Sequence, residues 1–115
     1  MVKSVTSLGR SGLHDWLWQR VSAVVIASYA IFMGFYFATH SGLTYADWQF
    51  LFSHTGVKLY TLVFLVGLSA HAWIGLWTVA TDYIKPTTVR FVFQSAVIIA
   101  SVLYFLWGVQ VIWSV

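Results

Sequence analysis

A chain of 115 residues that is 60% hydrophobic and only 8% charged is not an ordinary soluble domain, which carries roughly a quarter charged residues. Its length leaves no room for a second domain, and without cysteine it can neither ligate an iron–sulfur cluster nor form a disulfide. The net charge of +3 points to topology, not to nucleic acid, because the basic residues flank apolar runs and do not gather in a patch. What remains is an all-helical integral membrane protein.

The segment Met1 to Arg20 carries Lys3, Arg10 and Arg20 but no apolar core, so it does not read as a cleavable signal peptide. The first uncharged apolar run is Val21 to Thr39. It stops at Thr39-His40-Ser41-Gly42, where glycine and small polar residues favour a turn. Thr44 to Phe52 is too short to cross a bilayer and reads as an interfacial helix with Thr44 as N-cap. The second run, Val57 to Thr81, is interrupted only by Lys58 and His71. Asp82-Tyr83-Ile84-Lys85-Pro86 ends it, because Pro86 disfavours helical backbone at Lys85 and has no N–H to donate. A third run, Phe91 to Val115, has no charge. A crossing needs about 20 apolar residues, so a single domain over 1–115 is expected, with spans at about 21–39, 57–81 and 90–114.

Three crossings put Lys3, Arg10, Arg20, Lys85 and Arg90 on one side and Lys58 alone on the other. This bias assigns the first side to the cytoplasm. Trp16, Trp18 and Tyr83 then fall at the cytoplasmic interface, and Trp48, Tyr60 and Trp113 at the opposite one.

His71 is the ionisable side chain in the middle of the second span. An imidazole at membrane depth is unfavourable without a bound partner, which makes it a functional-site candidate, and neutral imidazole is a good metal ligand. At about 100° per residue, Gly67, His71, Gly75, Thr78 and Asp82 share an arc of about 80°. Small and polar residues on one face mark a surface turned towards other helices or a ligand, so a haem and a partner helix both fit. Asp82 lies about 16 Å further along the axis. With Asp82 at the cytoplasmic boundary of a core about 30 Å thick, His71 is near the midplane. The simpler reading is a hydrogen bond from His71 to a neighbouring Ser or Thr.

His14 precedes the first span, and His40 and His54 fall in the first loop. None reaches the depth of His71, so a haem held by two imidazoles would take its second ligand from another polypeptide. Haem propionates need cationic or hydrogen-bonding partners, and His14 and Arg20 precede the first span on the same side. Read without any family in mind, Arg20 is an interface anchor. The pair Asp82-Tyr83 could hydrogen-bond or relay protons to a quinone carbonyl; the plainer alternative is a boundary charge beside a belt aromatic.

The blocks His71-Ala72-Trp73-Ile74-Gly75-Leu76-Trp77 and Thr81-Asp82-Tyr83-Ile84-Lys85-Pro86, with Leu8-Gly9-Arg10-Ser11-Gly12-Leu13-His14-Asp15 at the start, closely resemble the hydrophobic membrane-anchor D subunit of bacterial succinate dehydrogenase, respiratory complex II. The resemblance covers nearly the whole chain, including its length class and three-span layout. It implies a respiratory-chain and tricarboxylic-acid-cycle role in the inner membrane. It implies that His71 is one axial ligand to the iron of a haem b shared with a cytochrome b (C-type) membrane subunit. It further implies that Tyr83 hydrogen-bonds ubiquinone with Asp82 beside it, that His14 and Arg20 lie near the propionates, and that flavoprotein and iron–sulfur subunits dock on the cytoplasmic face. Where family members often carry Gln, this chain has Thr78, a change that leaves His71 and Tyr83 untouched. Two other readings compete: a small proton-coupled transporter or channel subunit with His71 and Asp82 as relay, and an anchor with no cofactor. Transporters usually show internal repeats or broken helices, and the sequence has neither.

The charge bias makes the first testable statement. A reporter active only outside the cytoplasm should work when fused after Val115 and fail when fused at Pro86; the reverse pattern would overturn the orientation.

Overall fold

The computed structural model describes residues 12–114; Lys3, Arg10 and the first half of the Leu8–Asp15 block lie outside them, as does Val115. Four helices follow one another, α1 (Gly12–Thr39), α2 (Tyr45–Ser53), α3 (Thr55–Tyr83) and α4 (Thr87–Trp113). Three of them are long and apolar enough to cross a membrane, and there is no strand among the described residues. This is the all-α membrane architecture expected, with α2 as the short interfacial element.

Each helix boundary has a local cause. Gly42 is the glycine with positive φ (69°), a conformation it enters at no steric cost, and it lies in the polar break after α1. Thr44 and Asp47 form a capping box: the Asp47 N–H donates to Thr44 Oγ1 at 3.3 Å, and the Thr44 N–H donates to Asp47 Oδ2 at 2.8 Å. Two otherwise unpaired helix-start donors are thereby satisfied. The Thr44 N–H bond, followed by that from its hydroxyl, holds the Asp47 carboxyl below the usual carboxylate range. Pro86, at φ −62°, ψ 126°, is the N-cap of α4, and α3 ends at Tyr83. Asp82 and Tyr83 therefore sit in the last turn of α3, where the apolar pattern alone suggested an end at Thr81. At the other end of the chain, α1 begins well before Val21. A helix satisfies its own backbone, so it continues through the wet interface where apolar composition stops. Asp15 in its first turn complements the positive end of the helix dipole.

The middle element is α3, which packs along α1 on one side and α4 on the other, with α2 against it near its start. Two glycines mark the close approaches. A Cβ on Gly67 would come within 3.2 Å of Val25 Cγ1 on α1, and one on Gly108 of α4 within 2.9 Å of Leu65 Cδ1 on α3. Further out, Tyr29 stacks on Phe64 with ring centroids 4.2 Å apart. Its hydroxyl shares a hydrogen bond of 2.8 Å with Thr61 Oγ1, and Ser28 Oγ and Tyr60 Oη pair at 2.7 Å. Such pairs matter in hydrocarbon, which offers no water to a polar group. Away from these seams the surface is apolar and open, as at Ile31 (72% exposed) and Phe35 (70%), and lipid is the medium that suits it.

The two kinds of glycine separate experimentally. Gly67→Ala must push Val25, whose branched Cβ leaves it little rotamer freedom in a helix, and should destabilise the α1–α3 pair by about 1–3 kcal/mol. Gly34 has nothing within 4 Å of its Cβ position, so Gly34→Ala should be neutral or slightly stabilising. Thermal unfolding in detergent compares the two; equal losses would mean that Gly67 is not a packing glycine.

Candidate functional site at the α1–α3 seam

α1 and α3 run antiparallel, so residues near the start of α1 face residues near the end of α3. Gln19 lies opposite Gly75, Ser22 opposite His71 and Val25 opposite Gly67. The bare face of α3 read from the sequence is thus turned towards a helix, and that helix is α1 of the same chain. Gly67 and Gly75 serve that approach: the nearest side-chain atoms to their Cβ positions belong to Val25 and Gln19.

His71 is half-buried in this seam. Its Nδ1 lies 3.1 Å from Oγ of Ser22, and Ser22 is only 3% exposed. The Ser22 hydroxyl also donates to the Gln19 carbonyl at 3.1 Å, the same backward bond that Ser28 makes to Val25 at 2.9 Å. The hydrogen bond to a neighbouring hydroxyl weighed above is therefore present, but it occupies one ring nitrogen only. Nε2 has no partner among the described residues. Nor is it sealed off, in contrast to Gln19 Oε1 and Trp73 Nε1, the buried polar atoms left without one. A ring held at Nδ1 with Nε2 presented outward can donate a lone pair to a metal.

The chain brings no second imidazole to this depth. His14 is about 12 Å along α1 from Ser22, while His40 and His54 flank α2 at the opposite end. Among the described residues no group of three His, Cys, Asp or Glu side chains could hold a metal ion.

The other sequence-selected residues share an end of the molecule without sharing a pocket. Arg20 lies two residues before Ser22, a rotation of about 200°, so it points away from the α1–α3 seam. It is exposed, and its guanidinium carbon sits 5.2 Å from the Trp16 ring centroid, a cation–π contact. His14 is exposed as well, and Asp15 beside it is buried. Asp82 and Tyr83 are both exposed, Tyr83 at 79%, and Asp82 makes no ion pair or hydrogen bond among the described residues. The Thr78 hydroxyl donates to the Ile74 carbonyl at 2.7 Å, so the residue that departs from the family pattern is satisfied within its own helix.

The sequence reading passed over Ser22 and Gln19. The available signal was the stripe Ser22, Val25, Tyr29 at helical spacing, with Ser22 a small hydroxyl in an apolar run.

A scan of protein-family models finds no match. A curated relative is the succinate dehydrogenase hydrophobic membrane anchor subunit of Coxiella burnetii (strain RSA 493 / Nine Mile phase I), 36% identical over 109 residues and covering 95% of both chains. Similarity at that level along almost the full length agrees with the three apolar crossings and with the paired motifs of α3. The chain belongs to the family of succinate dehydrogenase hydrophobic membrane anchor subunits.

Proposed function

We propose that this chain, a multi-pass membrane-anchor subunit of succinate dehydrogenase that works within a larger complex, is also half of a haem b site and part of a ubiquinone-reduction site. The observation that carries the haem reading is the state of His71: a lone imidazole in the middle of an apolar helix long enough to cross a membrane, tied at Nδ1 and, among the described residues, unpartnered at Nε2. The donor chemistry fits a haem iron, and Nε2 of His71 is the ligand atom this chain offers. A second imidazole would come from a cytochrome b (C-type) membrane subunit, because no other histidine here reaches that depth. When bound, the haem supplies a one-electron store within the membrane. His14 and Arg20 lie on the propionate side, Arg20 with its charge at the interface where a carboxylate can meet it.

The quinone reading rests on the last turn of α3. Tyr83 offers a phenolic O–H to a ubiquinone carbonyl, and Asp82 a carboxylate that can hold or pass a proton beside it. Both are exposed on this chain, so the other wall of the pocket belongs to a partner. Iron–sulfur and flavoprotein subunits docked on the same cytoplasmic face of the inner membrane deliver electrons from succinate. The five-to-one distribution of basic residues supports this orientation.

Two experiments test the readings separately. The chain expressed alone should show no normal low-spin, two-histidine haem spectrum, and co-expression with the small membrane partner should restore one. His71→Tyr in the assembled complex should change the coordination or lower haem occupancy. A full low-spin spectrum from the lone monomeric chain would sink the shared site.

Tyr83→Phe removes one hydroxyl and little volume. It should leave assembly and the haem spectrum nearly intact, and oxidation of succinate by a soluble dye unchanged. Loss of one hydrogen bond to a neutral carbonyl, about 0.5–1.5 kcal/mol, sets a floor of a few-fold to about tenfold on the fall in ubiquinone reduction. Wild-type rate and affinity would make the phenol a belt anchor only.

A further inference from the structure

A ligand histidine must present a lone pair, and a neutral imidazole has one only on the nitrogen without the proton. Which nitrogen that is depends on the hydrogen bond made by the other. In this chain the partner of the other nitrogen is Ser22 Oγ, 3.1 Å from Nδ1 of His71. A hydroxyl has a single proton, and Ser22 Oγ has the Gln19 carbonyl, which can only accept, one turn back at 3.1 Å. With the hydroxyl proton given to that carbonyl, the oxygen has only lone pairs to offer His71, and the ring N–H donates to it. That arrangement puts the ring proton on Nδ1 and leaves Nε2 bare.

The surroundings make this contact hard to avoid. Ser22 is 3% exposed, so no water replaces it. Gly67, one turn before His71, admits α1 so closely that its Cβ position lies 3.2 Å from Val25 Cγ1 and 3.9 Å from the Ser22 carbonyl oxygen. A larger residue there would hold the hydroxyl away from the ring. Serine, histidine and glycine form one unit across the seam.

We propose that Ser22 is the positioning residue of the haem ligand: by accepting the Nδ1 proton of His71 it fixes the tautomer and ring orientation that leave Nε2 free to bind iron. The role rests on the haem reading given above. It follows the general rule that a ligating histidine gives its other N–H to an oxygen, which raises its donor strength. A stronger donor favours ferric over ferrous iron, so this bond holds the haem potential down. Removing it raises the potential and lets the ring turn.

Two readouts test the role, one of them needing no haem. In the full chain with ¹⁵N-labelled histidine, held in detergent at a pH where the ring is neutral, His71 should show a protonated Nδ1 and an unprotonated Nε2. Ser22→Ala should lower the ratio of the Nδ1–H to the Nε2–H form by about fivefold, the effect of one hydrogen bond, and Ser22→Thr, which keeps the hydroxyl, should restore it. In the assembled complex Ser22→Ala should shift the haem potential positive at retained occupancy, with Ser22→Thr close to wild type. If wild-type His71 carries its proton on Nε2, or the ratio and the potential both ignore Ser22→Ala, the positioning role is overturned. A tautomer that responds while the potential does not reduces Ser22 to a packing hydrogen bond. A wild-type complex without haem would instead overturn the haem reading, and this role with it.

Discussion

The antiparallel seam between α1 and α3 governs where everything else can be. Hydrocarbon leaves each polar group to find its partner within the protein, and here the partners meet in register. Ser22 meets His71, Ser28 meets Tyr60, and Tyr29 meets Thr61. A slip of α1 by one residue would turn each donor by about 100° and separate all three pairs at once. The glycine at position 67 permits the close approach, and the hydrogen bonds select one register within it. His71 thus occupies a place that packing already determines. The ring cannot move without breaking the same seam that holds two spans together.

Against that rigid half, the cytoplasmic end of α3 is open. Asp82 and Tyr83 project from a helix about to be stopped by Pro86, and both are exposed among the described residues. Nearer the seam, Gln19 Oε1 is buried with no donor in the described residues, at a cost of about 1–3 kcal/mol for an unsatisfied acceptor. Such features suit a subunit and not a self-sufficient protein. A lone imidazole in the middle of a span and an exposed helix end, among the described residues, both leave room for neighbouring chains. Membership in the succinate dehydrogenase anchor family supplies the reason, since those subunits work inside a larger complex.

Much of this was legible in the residues. Apolar runs, the Thr39–Gly42 break, the Thr44 cap and the Pro86 stop each depend on short-range chemistry, and the helices follow them. The depth of His71 follows from counting residues at about 1.5 Å each. What the chain did not reveal was which neighbour the Gly67–His71–Gly75 face would meet. Periodicity gives the angle of a face on its own helix and says nothing about the identity of what covers it, so the presence of α1 along that face could not be read from α3 alone. The same limit hid Ser22, whose partner lies 49 positions away. Arg20 shows the same limit: charge and depth alone mark it as an interface anchor, the resemblance alone implies a place near the propionates, and its direction, away from Ser22 on α1, comes from helical phase. The helices also outrun their apolar stretches, because hydrogen bonding within a helix does not end where hydrophobicity does.

The relation between the two proposed sites is set by rotation more than by distance. From His71 to Asp82 is a turn of about 20° past whole revolutions, and from His71 to Tyr83 about 120°, over about 16–18 Å of axis. Asp82 therefore shares the azimuth of the histidine and Tyr83 points in a different direction, which would let one helix serve the proposed haem and the proposed quinone pocket from separate faces. One residue more or less between Gly75 and Asp82 would alter the separation by only about 1.5 Å, a small change for electron transfer, yet would swing both side chains by about 100°. The unbroken run of α3, with proline kept out until position 86 and its close-approach glycines spent on packing, preserves the angle. An anchor of this kind is a ruler whose graduations are directions.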